Sequence, residues 1–259
     1  MKRIINNFKK YQYLLFELVK KDVKLKYRSS ALGLLWTLLE PLLTMIVLTI
    51  VFETIQDRKI PNFAVYVLTG RLLYSYFANG TKLALKAIRR NSSMIRKVYV
   101  PKYIYPLSSA LSGYVTFLVS LIVLIAVAAV QKIQPTWHLI EALIPLFTIL
   151  VMVVGIGFIL ATLDVFFRDT EYLWNVVTML LMYLSAIFYD GEYFIANKRF
   201  GMLLKINPLY NIIANFRHAV YGEAMNINYM LYSMGVSIIV LILGVGLFYK
   251  KQDKFVLYI

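Results

Sequence analysis

Residues Ala31–Phe52 read ALGLLWTLLEPLLTMIVLTIVF, a run of 22 residues with a single charge, Glu40. About 20 predominantly apolar residues cross the hydrocarbon core of a bilayer as a helix, so this run predicts a membrane span. Before it, Lys2, Arg3, Lys9, Lys10, Lys20, Lys21, Lys24, Lys26 and Arg28 crowd into the first 30 residues. After it, past a short loop and a second apolar run, comes another basic block: Lys82, Lys86, Arg89, Arg90, Arg96, Lys97 and Lys102. Lysine and arginine collect on the cytoplasmic side of membrane proteins. Both blocks are therefore placed inside, and the two apolar runs form an out-and-back hairpin.

Working outward, the second run is Phe63–Thr81, and four more follow: Ile104–Val130, Leu139–Leu163, Tyr172–Tyr189 and Tyr229–Tyr249. Of 28 Lys and Arg residues, this topology puts 20 inside and seven outside, with Arg71 within a span. The expected fold is an all-α integral membrane protein, a single domain over residues 1–259. It has six transmembrane helices, and both termini lie in the cytoplasm. A hydrophobic fraction of 60% agrees, since soluble domains run near 45–50%. A net charge of +15 would suggest nucleic acid in a soluble chain. Beside apolar spans it points to anionic lipid headgroups instead, so nucleic acid is not an expected partner.

Two stretches fall outside the spans. In the first 30 residues Phe8, Tyr11, Leu14, Leu15, Leu18, Val19 and Leu25 recur at helical spacing, with most lysines opposite. That pattern predicts an amphipathic helix in the membrane interface; a solvated cytoplasmic helix is the plainer alternative. Residues 190–228 hold short apolar pieces around Phe194, Met202–Leu204 and Leu209–Ile213, broken at Gly201 and Pro208. Pieces too short to cross read as re-entrant helices between spans five and six, or as a folded external cap.

Nothing in the chain marks an enzyme. There is no cysteine, only His138 and His218 as histidines, and no G-x-x-x-x-G-K-[ST] loop to hold ATP. No catalytic residue, metal site or cofactor is expected in this chain. Asp190 and Glu192 would serve a membrane glycosyltransferase as a base or metal ligands, and that enzyme class is the alternative. Glu40 and Arg71 lie inside apolar runs at matching depth, where ionised groups are costly and face a partner or water. They are expected either to pair or to line one polar path, unless Glu40 stands at a cytoplasmic vestibule and Arg71 snorkels. Pro41 predicts a kink or helix start near Glu40. Tyr74, Tyr76 and Phe77, with Phe188 and Tyr189, are dense enough for stacking on sugar rings or for packing between helices.

Five segments carry a resemblance: KYRSSALGLLWTLLEPLL (Lys26–Leu43), RKVYVPK (Arg96–Lys102), VFFRD (Val165–Asp169), YLSAIFY (Tyr183–Tyr189) and NPLYNIIANFR (Asn207–Arg217). In this order they resemble the ABC-2 type permeases that export lipid-linked polysaccharides. Ala186 departs from a proline common there, and Tyr74 from a tryptophan. The resemblance implies a homodimer with two separate cytoplasmic ATPase subunits, which would hold the ATP and Mg. Residues 82–102 would contain the segment coupling to that ATPase, with Arg89, Arg90, Arg96 and Lys97 as its contacts. Arg168 and Asp169 would stand at a cytoplasmic gate. Glu40, Arg71, Tyr74, Tyr76, Phe77, Phe188 and Tyr189 would line the translocation path. The cargo would be a lipid-linked glycan such as O-antigen or teichoic acid, with export of drugs or small lipids as the alternative.

Overall fold

The computed structural model describes residues 2–28, 30–55, 60–98, 100–196 and 201–259, and every regular element among them is helical. Arg58, Lys59, Lys198 and Arg199, and the side chains of Phe8, Lys9 and Phe194, lie outside the described residues. Helix α1 (Lys2–Tyr27) leads through a 3-10 turn at Gly33–Leu35 into α2 (Trp36–Ile55). It is amphipathic as expected: Leu15 and Leu18 are buried while Tyr13 and Phe16 stay exposed. Helix α2 begins at Trp36 and runs on through Pro41.

Helix α3 (Phe63–Arg90) is 28 residues long, about 42 Å at the α-helical rise. It is the hub of the fold, packed against α2, α5 (Ile104–Val130), α6 (Leu143–Phe166), α7 (Thr170–Tyr183) and α10 (Pro208–Tyr221). That central place lets it carry Arg71, Lys82, Lys86 and Arg89 among apolar neighbours. A short helix α4 (Ser92–Lys97) follows it, pinned by buried Ile95.

Among the described residues, four helical stretches are long and apolar enough to cross a membrane: Gly33–Phe52, Ile104–Val130, Trp137–Phe166 and Ile227–Tyr258. Helix α3 is long enough but not apolar enough, because Arg71 and several Tyr, Ser, Asn, Thr and Gly residues interrupt its first 18 residues. Helix α7 has 14 residues, about 21 Å, and the fifth expected span continues from Tyr183 as turns rather than helix. Then come α8 (Gly191–Ala196), α9 (Gly201–Ile206) and α10, and the long α11 (Ile227–Lys251) with a 3-10 turn and α12 (Phe255–Tyr258) at its end. Helix α10 is bounded as its sequence dictates. The Asn207 side chain accepts the Leu209 amide, Pro208 opens the first turn, and Gly222 closes the helix at φ 79°.

The main core lies between α3, α5, α6 and α10. A second core, at the end carrying α1 and α4, gathers Leu15, Leu18, Ile88, Ile95, Phe158 and Phe255; this is called the basic end below. Phe248 meets Phe158 at 5.2 Å and Phe255 at 5.1 Å, edge to face, which ties the C-terminal turn to that core.

Helices α6 and α11 make the closest pair because glycines remove side chains where the backbones meet. A Cβ on Gly155 would lie 2.7 Å from the Leu241 amide nitrogen, and one on Gly244 would run into the Gly155 carbonyl. Backbone cannot yield as a side-chain tip can, so Gly155→Val is expected to destabilise by about 2 kcal/mol. Gly246 faces open space, so Gly246→Ala is the control. Thermal unfolding of the purified protein should separate the two, and equal melting temperatures would refute the close-packing account.

Candidate functional site

Three helices turn polar stripes onto one cavity of about 640 Å³. Helix α3 contributes Arg71, Ser75, Asn79, Lys82 and Lys86, spaced by three or four residues along one face. Helix α5 contributes Ser109, Ser112, Thr116 and Ser120 at the same spacing, and α2 adds Thr37, Glu40 and Thr44. Asp22, Val23 and Lys26 of α1 stand at the basic end. No lining residue on α2 lies beyond Thr44, none on α5 beyond Ser120, and none on α3 before Arg71. The cavity is therefore a slot that begins at the basic end and stops partway along the helices.

Glu40 and Arg71 both line this slot, and among the described residues they form no ion pair with each other. Arg71 stands 6.0 Å from the Tyr74 ring. Three of the four hydroxyls on α5 have spent their protons on helix carbonyls: Ser112 on Ser109 at 2.9 Å, Thr116 on Ser112 at 3.0 Å and Ser120 on Phe117 at 2.6 Å. What they present to the slot is acceptor lone pairs.

Of the aromatic residues, Tyr76 reaches the slot wall, stacked on Phe117 at 5.2 Å. The others pack between helices. Buried Tyr74 donates to the Thr178 carbonyl at 2.8 Å, and Phe77 meets the Trp174 ring at 6.1 Å, so both hold α7 against α3. Phe188 stacks on Phe52 at 5.1 Å, and the Tyr189 hydroxyl donates to the Tyr183 carbonyl at 2.7 Å.

At the basic end the structure divides the four expected coupling residues. Arg89 Nε lies 2.5 Å from Asp164 Oδ2 and its Nη2 3.4 Å from Glu171 Oε2, while Lys86 Nζ lies 2.5 Å from Glu171 Oε1. The hydrogen bond from Lys86 holds the Glu171 carboxyl below its ordinary value. Arg90 reaches Asp22 of α1 at 2.9 Å. Arg96 and Lys97 stand exposed on α4, beside exposed Met94 and Val98. Arg168 and Asp169 are exposed in the turn between α6 and α7. Asp164, one residue past the expected end of the fourth span at Leu163, is instead inside α6 and wholly buried.

The far end is organised by a residue that sequence reasoning counted only as an external charge. Arg217 is 5% exposed. Its guanidinium donates to the carbonyls of Ala186 at 2.9 Å, Tyr66 at 3.1 Å and Ile187 at 3.4 Å, and to Thr69 Oγ1 at 3.4 Å. It also lies 3.6 Å over the Tyr66 ring. Ala186 takes φ 46°, a left-handed conformation that a proline could not adopt. The signal was present in the sequence: Leu209, Ile213, Phe216 and Val220 mark the inward face of α10, and Arg217 falls among them. Asn207, Asn211 and Asn215 share the buried side and tie down the Leu184, Lys205 and Asn211 carbonyls.

Nearby, Asp190 accepts the Glu192 and Tyr193 amides, and exposed Glu192 faces His218 at 3.4 Å. No group of three or more His, Asp or Glu suited to a metal occurs among the described residues.

The family described as ABC-2 type transporter matches residues 13–221. The chain is 28% identical over 244 residues to the O-antigen export system permease protein RfbA of Klebsiella pneumoniae, covering 93% of each chain. It is 24% identical over 256 residues to the protein of the same name from Myxococcus xanthus, covering 98% of each. To the polysialic acid transport protein KpsM of Escherichia coli it is 20% identical over 246 residues, covering 90% of this chain and 91% of that one.

Proposed function

The chain belongs to the ABC-2 type transporter family, and from that premise we propose that it is the membrane permease subunit of an ABC exporter of lipid-linked polysaccharide. The observation that carries the cargo class is the near end-to-end match to two O-antigen export permeases, over 93% and 98% of both chains. Lipid-linked O-antigen or a wall glycan such as teichoic acid is the substrate in this reading. The subunit sits in the cytoplasmic membrane with its basic end and both termini inside, the orientation the charge distribution favours. Helices α2, α3, α5, α6, α11 and the α7 segment are its six spans. Helix α1 lies in the interface, and α8 and α9 re-enter from outside.

Two copies are needed for the path, which runs between them, because the slot within one chain stops at Arg71 and does not cross. Helices α2 and α7 are the faces we assign to the pairing. Val47 and Ile50 on α2, and Tyr172, Leu173 and Tyr183 on α7, are more than half exposed in a single chain. Arg168 and Asp169 then stand at the cytoplasmic gate. Hydrolysis belongs to two ATPase subunits in trans, which bind the ATP and Mg. Helix α4 fits their docking point, a short rigid cationic projection held from beneath by Ile95. Closure of the ATPase pair biases the permease between conformations through differential contacts there.

Co-purification with the partner ATPase, followed by hydrolysis with and without lipid-linked glycan, tests the assignment. A stable complex whose hydrolysis rises with the glycan is expected; an ATPase-free chain that exports or modifies glycan would overturn it. Within that assay, Arg96→Glu with Lys97→Glu should reduce complex formation at least tenfold, a change of about 1.4 kcal/mol or more. Both side chains are exposed, so the melting temperature of the permease should not move; unchanged docking would remove α4 from the interface.

A further inference from the structure

We propose that the slot binds the headgroup of one bilayer phospholipid, a monoanionic phosphodiester whose head carries hydrogen-bond donors. The inference does not depend on the cargo. It begins from charges the fold leaves uncommitted. In the wall of the slot, Lys86 is engaged with Glu171, Arg90 with Asp22, and Lys26 with a partner of its own. Arg71, Lys82 and Glu40 form no ion pair within 4 Å among the described residues. Two cations and one carboxylate leave a surplus of one positive charge, which a single phosphodiester neutralises.

The rest of the wall says what else the ligand must bring. Three α5 hydroxyls offer acceptors, and Glu40 accepts as well, so a head that donates finds partners there. An ethanolamine ammonium or a glycerol diol meets that demand. A choline head, methylated at nitrogen, does not.

The neighbourhood of the slot gives the lipid its tail. A second cavity, of about 530 Å³, lies alongside and shares Val23 with the slot. Its wall is apolar at Phe16, Val19, Leu34 and Val115, with Lys20, Lys24 and Arg28 also on its wall. A polar, charged chamber beside a groove with an apolar floor and a cationic rim suits an amphiphile: head in one, acyl chain in the other. Both are roofed by α1, whose exposed Tyr13 and Phe16 are of the kind that settles in a bilayer interface. The lipid would fill the space between α1, α2, α3 and α5 that side chains leave open, and would join the sparsely packed α2 to the rest of the fold. Glu40 and Lys82 are exposed and Arg71 is half-buried, so an open polar slot in a membrane domain presents its charges to lipid, where ionised groups are costly and a headgroup offsets that cost.

Native mass spectrometry of the purified full-length chain, exchanged into micelles doped with one lipid at a time, tests this. Phosphatidylethanolamine or phosphatidylglycerol should be retained at one copy per chain at least tenfold better than phosphatidylcholine. Arg71→Gln and Lys82→Gln should each weaken retention about tenfold, the scale of one charge-assisted hydrogen bond. Lys254→Gln, at an exposed turn near the C-terminus, should leave it unchanged. Equal retention of the choline lipid by the unmodified protein overturns the proposal without any variant having to fold. Unchanged retention in both glutamine variants overturns it as well. Undecaprenyl diphosphate displacing the phospholipid through the same two cations would give the slot to the cargo, overturning the phospholipid while leaving the exporter reading intact.

Discussion

Arg217→Met is expected to lower the melting temperature of the purified protein more than any other single change at the far end. Methionine fills similar volume but donates nothing. It takes the guanidinium from three carbonyls and the Thr69 hydroxyl, although the Ala186 carbonyl still accepts from the Tyr66 hydroxyl at 3.3 Å and the Tyr66 carbonyl from Thr69 at 2.9 Å. Each bond to a charged donor contributes roughly 1.5–3 kcal/mol, and a buried acceptor left empty costs about 1–3 kcal/mol. Two of the four contacts are long, so the net loss is set at about 4 kcal/mol. Arg217→Lys should recover less than half, because an ammonium lacks the planar fork that spans the Ala186 and Tyr66 carbonyls at once.

Gly70 supplies an independent check. A Cβ there would collide with Arg217 Nη2 and sit 3.4 Å from the Ile187 Cα, so Gly70→Ala is expected to destabilise in the native background. In the Arg217→Met background its cost should shrink, because the clashing group is gone; coupling of this kind is what a double-mutant cycle reads. Simple additivity of the two changes, or a Met variant melting with the parent, would show that the far end does not depend on this guanidinium.

The second large effect is expected at the basic end. Arg89→Ala removes the partner of a carboxylate that is 0% exposed. Asp164 Oδ1 already has no hydrogen-bond partner among the described residues, so nothing stands in reserve. Breaking a buried pair from the exposed side strands the buried charge, at about 3–5 kcal/mol. Arg89 is itself 32% exposed, and solvent screening places the expected loss at the lower end, about 3 kcal/mol. Asp164→Asn should cost less, since Arg89 keeps Glu171 and some water. Arg89→Ala combined with Asp164→Asn should recover much of the Arg89→Ala loss, because no uncompensated charge remains inside. Denaturation followed by tryptophan fluorescence measures all three: Trp174 lies near this network, donating to Thr81 of α3 at 2.9 Å. A double variant as unstable as Arg89→Ala would assign the cost to lost packing instead.

The two clusters also show why some residues were legible in the sequence and others were not. Glu40 and Arg71 stood out because a charge in an apolar run is expensive, and the structure does bring both to one slot. Arg217 did not stand out, because a charge total sorts residues by segment and not by the face of the helix they occupy. Asp164 falls one residue past the expected end of the fourth span; three more helical residues than expected draw it into the core. The aromatic cluster around Tyr74 and Phe77 was visible as composition. Its placement against Trp174 and Thr178 of α7 was not, because it depends on how α7 docks.

By itself the sequence determined the helical class, the long apolar elements, their separation by basic segments and the caps of α10. Each follows from local rules: hydrocarbon thickness sets run length, charge cost sets where lysine and arginine lie, and Asn-Pro with a later Gly sets helix ends. Only the tertiary structure decided which polar side chains meet. Helix α3 carries five of the charges that matter, and their fates diverge by rotation and neighbour. Arg71 and Lys82 face a slot, Lys86 and Arg89 face carboxylates on α6 and α7, and Arg90 faces α1. Burial, pairing and vacancy of a charge are properties of an interface between helices, and the helical period of one segment specifies a face without specifying what will cover it.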